Sequence, residues 1–191
     1  MRILVFGGSF NPPHLGHFAL ADHVRNSFRY DKVILVPSFR PPHKMLTDDP
    51  GPVHRFDMVQ KTCCEDPHFI PDDCELRREG MSYTVDTLAS IMDRYDVEGK
   101  PGLLLGDDLV PGFSDWRESV RIAEISDLIV AFRLDSPHES FPYPHREANN
   151  LILPISSSLI RQRIRDGLTF RYLVPLPVYE HIVSEGLYGF A

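Results

Sequence analysis

The chain carries near its start the string Gly7-Gly8-Ser9-Phe10-Asn11-Pro12-Pro13-His14-Leu15-Gly16-His17. Two histidines three residues apart share one face of a helix. At the N-terminus of that helix, free N–H groups and the macrodipole attract anions, and two imidazole donors placed there can hold a polyphosphate. Gly7 and Gly8 permit backbone geometry that other residues resist and let a ligand approach the main chain. Gly16 leaves no side chain to obstruct a nucleoside. Pro12 disfavours helix at Asn11, and Pro13 suits the first turn of a helix. The string is neither a Walker loop nor a GxGxxG fingerprint. His14 and His17 also lack the glutamate and nearby third ligand of a zinc site, so no metal ligands are read from it.

Four further stretches carry chemistry. Pro41-Pro42-His43-Lys44 offers a point charge suited to phosphate. Ser82-Tyr83-Thr84-Val85-Asp86-Thr87-Leu88 leads into a helix, with Thr84 as N-cap and Asp86 in the first turn, and such a helix start can receive a carboxylate. Gly106-Asp107-Asp108 ends a buried run, and Trp116, the single tryptophan, lies eight residues beyond Asp108. Ile155-Ser156-Ser157-Ser158-Leu159-Ile160-Arg161 sets a serine cap before a basic helix, which turns backbone N–H groups, hydroxyls and Arg161 toward an anion.

The elements that must position these residues follow from apolar runs and spacing. Strands are expected at Ile3 to Phe6, Lys32 to Val36, 74 to 78, Leu103 to Leu105, Leu128 to Phe132 and Leu151 to Leu153. Helices are expected at Leu15 to Phe28, Val53 to Glu65, Thr84 to Tyr95, Trp116 to Ile122, Ser158 to Asp166 and Pro175 to Ser184. Residues 38 to 52 read as a proline-rich loop and 133 to 150 as a polar, mobile one. This alternation predicts an α/β fold, a doubly wound parallel sheet with helices on both faces, forming one domain over 1–191 whose 155–191 portion is helical. Ligands in such sheets bind beyond the carboxyl ends of the strands.

Composition narrows the class. Hydrophobic residues make up 42% and charged residues 25%, as in ordinary soluble domains. The net charge of −7 argues against a broad nucleic-acid surface but leaves room for a local basic cluster around a small anion. No apolar run has the ~18 residues of a membrane span, and the apolar N-terminus lacks a signal-peptide cleavage site. Cys63, Cys64 and Cys74 show no zinc spacing and read as free thiols of a cytoplasmic protein.

The first string resembles the signature of the HIGH-type nucleotidyltransferase superfamily, and its full length looks like the pyridine-nucleotide branch, the bacterial nicotinate mononucleotide adenylyltransferases. The other stretches, with Arg171 to Pro175 and Gly186 to Tyr188, extend that resemblance over nearly the whole chain. It implies a Rossmann-like fold with C-terminal helices. It assigns the catalytic phosphate contacts to His14, His17, Lys44 and Arg161. ATP binding falls to Gly7, Gly8, Ser9, Phe10 and Gly16 in the first loop, and to Gly106 and Asp108, with Asp108 on the adenosine ribose. Ile155, Ser157 and Ser158 complete the ATP set. Thr84 and Trp116 are implied for the mononucleotide, the indole on its pyridine ring.

The implied reaction joins the adenylyl group of ATP to nicotinate mononucleotide by direct in-line attack, releasing pyrophosphate. Mg²⁺ is expected on the ATP phosphates. The alternatives are a nicotinamide mononucleotide or phosphopantetheine acceptor, or a non-catalytic nucleotide sensor. A homo-oligomer is compatible with the sequence. Arg133-Leu134-Asp135 departs from the family's usual Arg-Pro-Gly, and Arg117 stands where some members carry a second aromatic.

Overall fold

A computed structural model describes residues 1–42, 45–132, 141–149 and 153–190. Six strands, β1 (Ile3–Gly8), β2 (Lys32–Pro37), β3 (Phe69–Pro71), β4 (Gly102–Gly106), β5 (Asp127–Ala131) and β6 (His145–Ala148), form one sheet in the order β3-β2-β1-β4-β5-β6. Every pairing is parallel. The described helices are α1 (Leu15–Ser27), α2 (Pro52–Cys63), α3 (Cys74–Arg78), α4 (Thr84–Arg94), α5 (Ser119–Ile125), α6 (Ser157–Arg165) and α7 (Leu176–Glu185).

Alternate residues of the central strands serve opposite layers, as the two-residue period of a strand requires. Leu4 and Phe6 of β1 join Val33 and Leu35 of β2 in a core completed by Ala21 and Val24 of α1 and Val59 of α2. Ile3 and Val5 face the other way, toward Val85, Leu88 and Ile91 of α4 and Ile122 of α5. The strands are therefore apolar along their length, and the fold is the doubly wound α/β sheet expected. A third cluster packs α6 and α7 through Ile160, Ile164, Val178 and Ile182 onto Met58 of α2.

The strand order reverses at β1, whose neighbours are β2 and β4. The ladder from β1 to β2 continues to Gly8 opposite Pro37. The ladder from β1 to β4 stops at Val5 opposite Leu103. Beyond Val5 the two strands part, which opens a crevice at their carboxyl ends, where a doubly wound sheet binds its ligand.

Several local expectations need correction. Residues 74 to 78 are helical, not a strand: the Asp72 carboxylate accepts from the Cys74 N–H at 2.9 Å and starts α3. The strand preceding it is the three-residue β3. The helix expected from Trp116 begins at Ser119, because the backbone passes through a short 3₁₀ turn at Phe113–Asp115 and a left-handed Glu118. The last strand is His145–Ala148, inside the stretch read as a mobile loop. Leu153 is not in a strand, and residues 133–140 and 150–152 lie outside the described residues. Thr84 is not the cap of α4; extended Tyr83 holds that position.

Candidate active site

The crevice is a cavity of about 610 Å³. Its floor is the ends of β1 and β4, and its walls come from the first loop, α1, the start of α4, the segment around Trp116 and the start of α6. Gly7, Gly8, Ser9, His14, Gly16 and His17 line it. So do Thr84, Gly106, Asp108, Trp116, Ile155, Ser157, Ser158 and Arg161. Two residues of the expected set stand apart. Phe10 is 1% exposed and does not line the cavity; its ring lies 5.1 Å from that of His17 and 5.6 Å from Phe6, so it seats the imidazole from behind. Lys44 lies outside the described residues.

The two histidines are not side by side on a helix face. His14 is extended, at φ −144° and ψ 167°, and caps α1, while His17 is the third helical residue. The His14 N–H donates to His17 Nδ1 at 3.2 Å, and the rings stack with centroids 3.7 Å apart. The helix starts at Leu15, as expected, and the Leu15 N–H donates to the Leu173 carbonyl at 3.1 Å. That amide at the mouth of α1 is thus already used, and the stacked imidazoles face the cleft in its place.

The glycines act through space rather than backbone freedom. Gly7, Gly8 and Gly16 do not have positive φ. A Cβ at Gly16 would stand 3.0 Å from His14 Nδ1, so this glycine makes room for the His14 ring, not for a nucleoside. A Cβ at Gly7 would meet nothing within 4 Å, and this residue borders the cavity directly.

Two buried arginines fix the loops around this end. Arg55 of α2, fully buried, donates from Nη1 to the carbonyls of Ser9 at 2.8 Å and Ser38 at 2.6 Å, and from Nη2 to that of Phe39 at 3.2 Å. Its Nε pairs with Asp49 at 2.8 Å. Arg161 of α6 donates from Nη1 to the Asn11 carbonyl at 2.7 Å and from Nη2 to the hydroxyls of Thr47 and Ser158 at 3.2 and 3.3 Å. Ser157 donates to the Pro12 carbonyl at 2.9 Å, and Ser156 caps α6 by accepting from the Leu159 N–H at 3.1 Å. Arg161, expected purely as a phosphate ligand, therefore also braces the first loop against α6.

The other end is built from α4 and the segment after β4. Thr84 opens α4 in the cavity wall. Trp116 is half-buried, its ring 5.0 Å from that of Phe113, and it too borders the cavity. Arg117 lies 4.9 Å from the Tyr83 ring centroid and 3.5 Å from Asp86, which adds positive charge beside the start of α4. Ser82 Oγ accepts from the backbone N–H groups of Phe39 and Arg40 at 2.9 and 3.2 Å, tying this segment to the loop after β2.

Glu75, also in the wall, is buried and accepts from Thr87 Oγ1 at 2.5 Å; burial raises its carboxyl above the ordinary range. Sequence reasoning did not find Arg55, Glu75 or the placement of Arg117. A charged residue at a core position of a predicted helix was the one available signal for Arg55.

The site combines stacked imidazoles, hydroxyls and arginine at one end with a helix start, an aromatic face and a second arginine at the other. A chain of overall negative charge thus presents positive and hydrogen-bonding groups where two anionic ligands can meet.

Comparison with known proteins agrees with this geometry. Residues 5–163 match the cytidylyltransferase-like family. The chain is 37% identical over 188 residues to the protein named "Probable nicotinate-nucleotide adenylyltransferase" of Borrelia garinii subsp. bavariensis, covering 98% of this chain and 95% of that protein. It is 36% identical over 202 residues to the protein of the same name from Treponema pallidum, covering 98% and 99% of the two chains. Among solved structures it resembles the Plasmodium falciparum nicotinic acid mononucleotide adenylyltransferase complexed with NaAD, with a TM-score of 0.75, 21% identity, and coverage of 100% and 98%.

Proposed function

The chain belongs to the cytidylyltransferase-like family and, within it, to the nicotinate-nucleotide adenylyltransferases, and we propose that it moves the adenylyl group of ATP onto the phosphate of nicotinate mononucleotide. The products are nicotinate adenine dinucleotide and pyrophosphate. The observation that carries this reading is the single cavity that touches His14, His17 and Ser158 at one end and Thr84 and Trp116 at the other.

ATP occupies the first-loop end. Gly7 and Gly8 admit it close to the main chain, Asp108 meets the ribose, and His14, His17 and Lys44 hold the phosphates with Ser157, Ser158 and Arg161. Mg²⁺ enters as part of the nucleotide, held by its phosphates and water. The mononucleotide lies with its ring on Trp116 and its carboxylate at the start of α4, where N–H groups and the macrodipole favour an anion. Arg117 adds charge at this end.

A phosphate monoester is nucleophilic near neutral pH, so its oxygen attacks the α-phosphorus directly. The P–O bond of the new phosphoanhydride forms as the bond to pyrophosphate breaks, with no covalent adenylyl-enzyme. The protein contributes positioning and charge stabilisation.

Pyrophosphate release measured with nicotinate mononucleotide, nicotinamide mononucleotide and phosphopantetheine tests the reading. The acid form is expected to react with the highest kcat/KM, because an amide would set its own NH₂ donors against the N–H groups of α4. A higher kcat/KM for either other acceptor overturns the substrate assignment. Pyrophosphate exchange into ATP without any acceptor overturns direct attack.

A further inference from the structure

The cleft uses one histidine pair, and the molecule holds another. On α2, His54, Asp57 and Lys61 follow at positions i, i+3 and i+7, which puts them on one stripe. From α7, His181 packs onto that stripe and is 4% exposed. His54 Nδ1 and His181 Nε2 are 3.2 Å apart. One ligand atom from each of His54, Asp57 and His181 lies within 4.8 Å of the others. Lys61 Nζ is 2.8 Å from His181 Nδ1, and the carboxylates of Asp57 and Glu185 also act on this imidazole. None of these residues lines the cleft.

Two nitrogens bound to one tetrahedral metal at roughly 2.0–2.1 Å stand about 3.3 Å apart. The His54–His181 separation already matches that bite. We propose that His54, Asp57 and His181 form a site for a divalent transition-metal cation of the zinc or cobalt type, which joins α2 to α7. Two imidazoles and one carboxylate suit such ions better than Mg²⁺ or Ca²⁺, which favour oxygen ligands. The fourth position is left to water.

The proton balance is simple. Lys61 donates to His181 Nδ1, so the proton of the neutral ring sits on Nε2 and points to His54. Metal binding at Nε2 moves that proton to Nδ1, and the Lys61 ammonium turns away. Burial, with Lys61 and His54 next in effect, holds the His181 ring below the ordinary imidazole range. Lys61 thus opposes the metal, by charge and by position. The ion would brace α7 against α2 and leave the chemistry of the cleft alone.

Titration of the metal-stripped full chain with Co²⁺, followed by visible absorption and thermal unfolding, tests this. One equivalent is expected to give tetrahedral d–d bands without a thiolate charge-transfer band, to raise the melting temperature, and to be displaced by Zn²⁺. Asp57→Asn, at a half-buried position that does not threaten folding, and His181→Gln should each weaken binding at least about tenfold, the low end for losing even a group that only supports a metal. Lys61→Met should tighten binding, and turnover should be unchanged in all three. Failure of both the wild type and Lys61→Met to bind one equivalent overturns the site. Binding that Asp57→Asn and His181→Gln leave unaltered overturns it as well.

Discussion

At the first-loop end of the cleft, two buried arginines from α2 and α6 close on the backbone carbonyls of Ser9, Asn11, Ser38 and Phe39. At the α4 end, positioning falls to an aromatic cluster of Phe113, Trp116 and Tyr143 and to half-exposed charges such as Arg117 and Asp86. The first arrangement fixes main-chain atoms, so the shape of the first-loop end depends on residues that need not touch a ligand. The second offers side chains whose own surfaces make the contact. Substitutions at the two ends should therefore fail in different ways: support residues at the first end should cost stability and activity together, and wall residues at the second should cost affinity for one substrate.

The largest effect is expected at Arg55. Replacing it with Met removes four contacts and leaves Asp49 and three carbonyls facing a buried apolar chain. Breaking a buried ion pair by removing one partner costs about 3–5 kcal/mol. Arg55→Met should lose that much in urea unfolding, and the protein that remains folded should turn over slowly. A loss below about 1 kcal/mol would mean the loop holds its shape without the clamp.

His17→Ala comes next, and it separates ligand contact from support. Removing one preorganised donor to developing charge costs roughly 100- to 1000-fold in kcat. The expected result is that loss with a nearly unchanged melting temperature, because Phe10 and Phe6 keep the core filled behind the ring. Near-normal turnover in a folded His17→Ala protein would remove the imidazoles from the phosphate site.

The contrast between the two ends also governed what the sequence could reveal. The first loop was legible because its glycines, prolines and histidines stand in one short string whose residue types point to anion binding, even though the glycines act there through space. The central strands were legible because burial on both faces makes them continuous apolar runs. The edge strands were not. β3 has three residues and ends on Pro71, and β6 reads His-Arg-Glu-Ala, since an edge strand can expose its polar side chains to water. α3, at five residues, is too short to show a period, and the side chain that starts it, Asp72, precedes it in the chain. Arg55 and Glu75 escaped because their importance lies in partners distant in sequence: Arg55 reaches 46 residues back to Ser9. Spacing within a segment carries no trace of such a contact.

A smaller effect is expected at Trp116, where the structure gives the ring two tasks. One side packs near Phe113, and the residue also borders the cavity. Stacking of a base-like ring on an aromatic side chain is worth about 1–3 kcal/mol. Trp116→Ala should therefore weaken nicotinate mononucleotide binding by roughly tenfold or more in calorimetric titration, with ATP affinity little changed. Equal losses for both ligands would make Trp116 a packing residue, and the two ends of the cleft would then be alike in relying on support.

The smallest expected effect concerns how the α4 end is anchored from behind, and it is read from pH. Asp72 is 1% exposed. Burial alone would raise its carboxyl, but hydrogen bonds from Tyr95 Oη at 2.7 Å, the Cys74 N–H at 2.9 Å and Arg94 Nη1 at 2.8 Å outweigh it, and the group is held below the ordinary carboxylate range. These bonds join the start of α3 to the end of α4, the helix whose first turn lines the cavity. A carboxyl depressed in the folded state binds its proton less readily there than in the unfolded chain. Its contribution to stability is complete above the unfolded value of about 3.9 and is lost as pH falls through the lower folded value. Asp72→Asn keeps the shape but not the charge, so it should cost about 1 kcal/mol at pH 7. The gap between wild type and variant should close as urea unfolding is repeated at successively lower pH below 4. A gap that stays constant would show that the bonds serve packing and not the charge. An Asp72→Asn protein with unaltered stability but poorer mononucleotide binding would show instead that the network sets the angle of α4 without stabilising the fold.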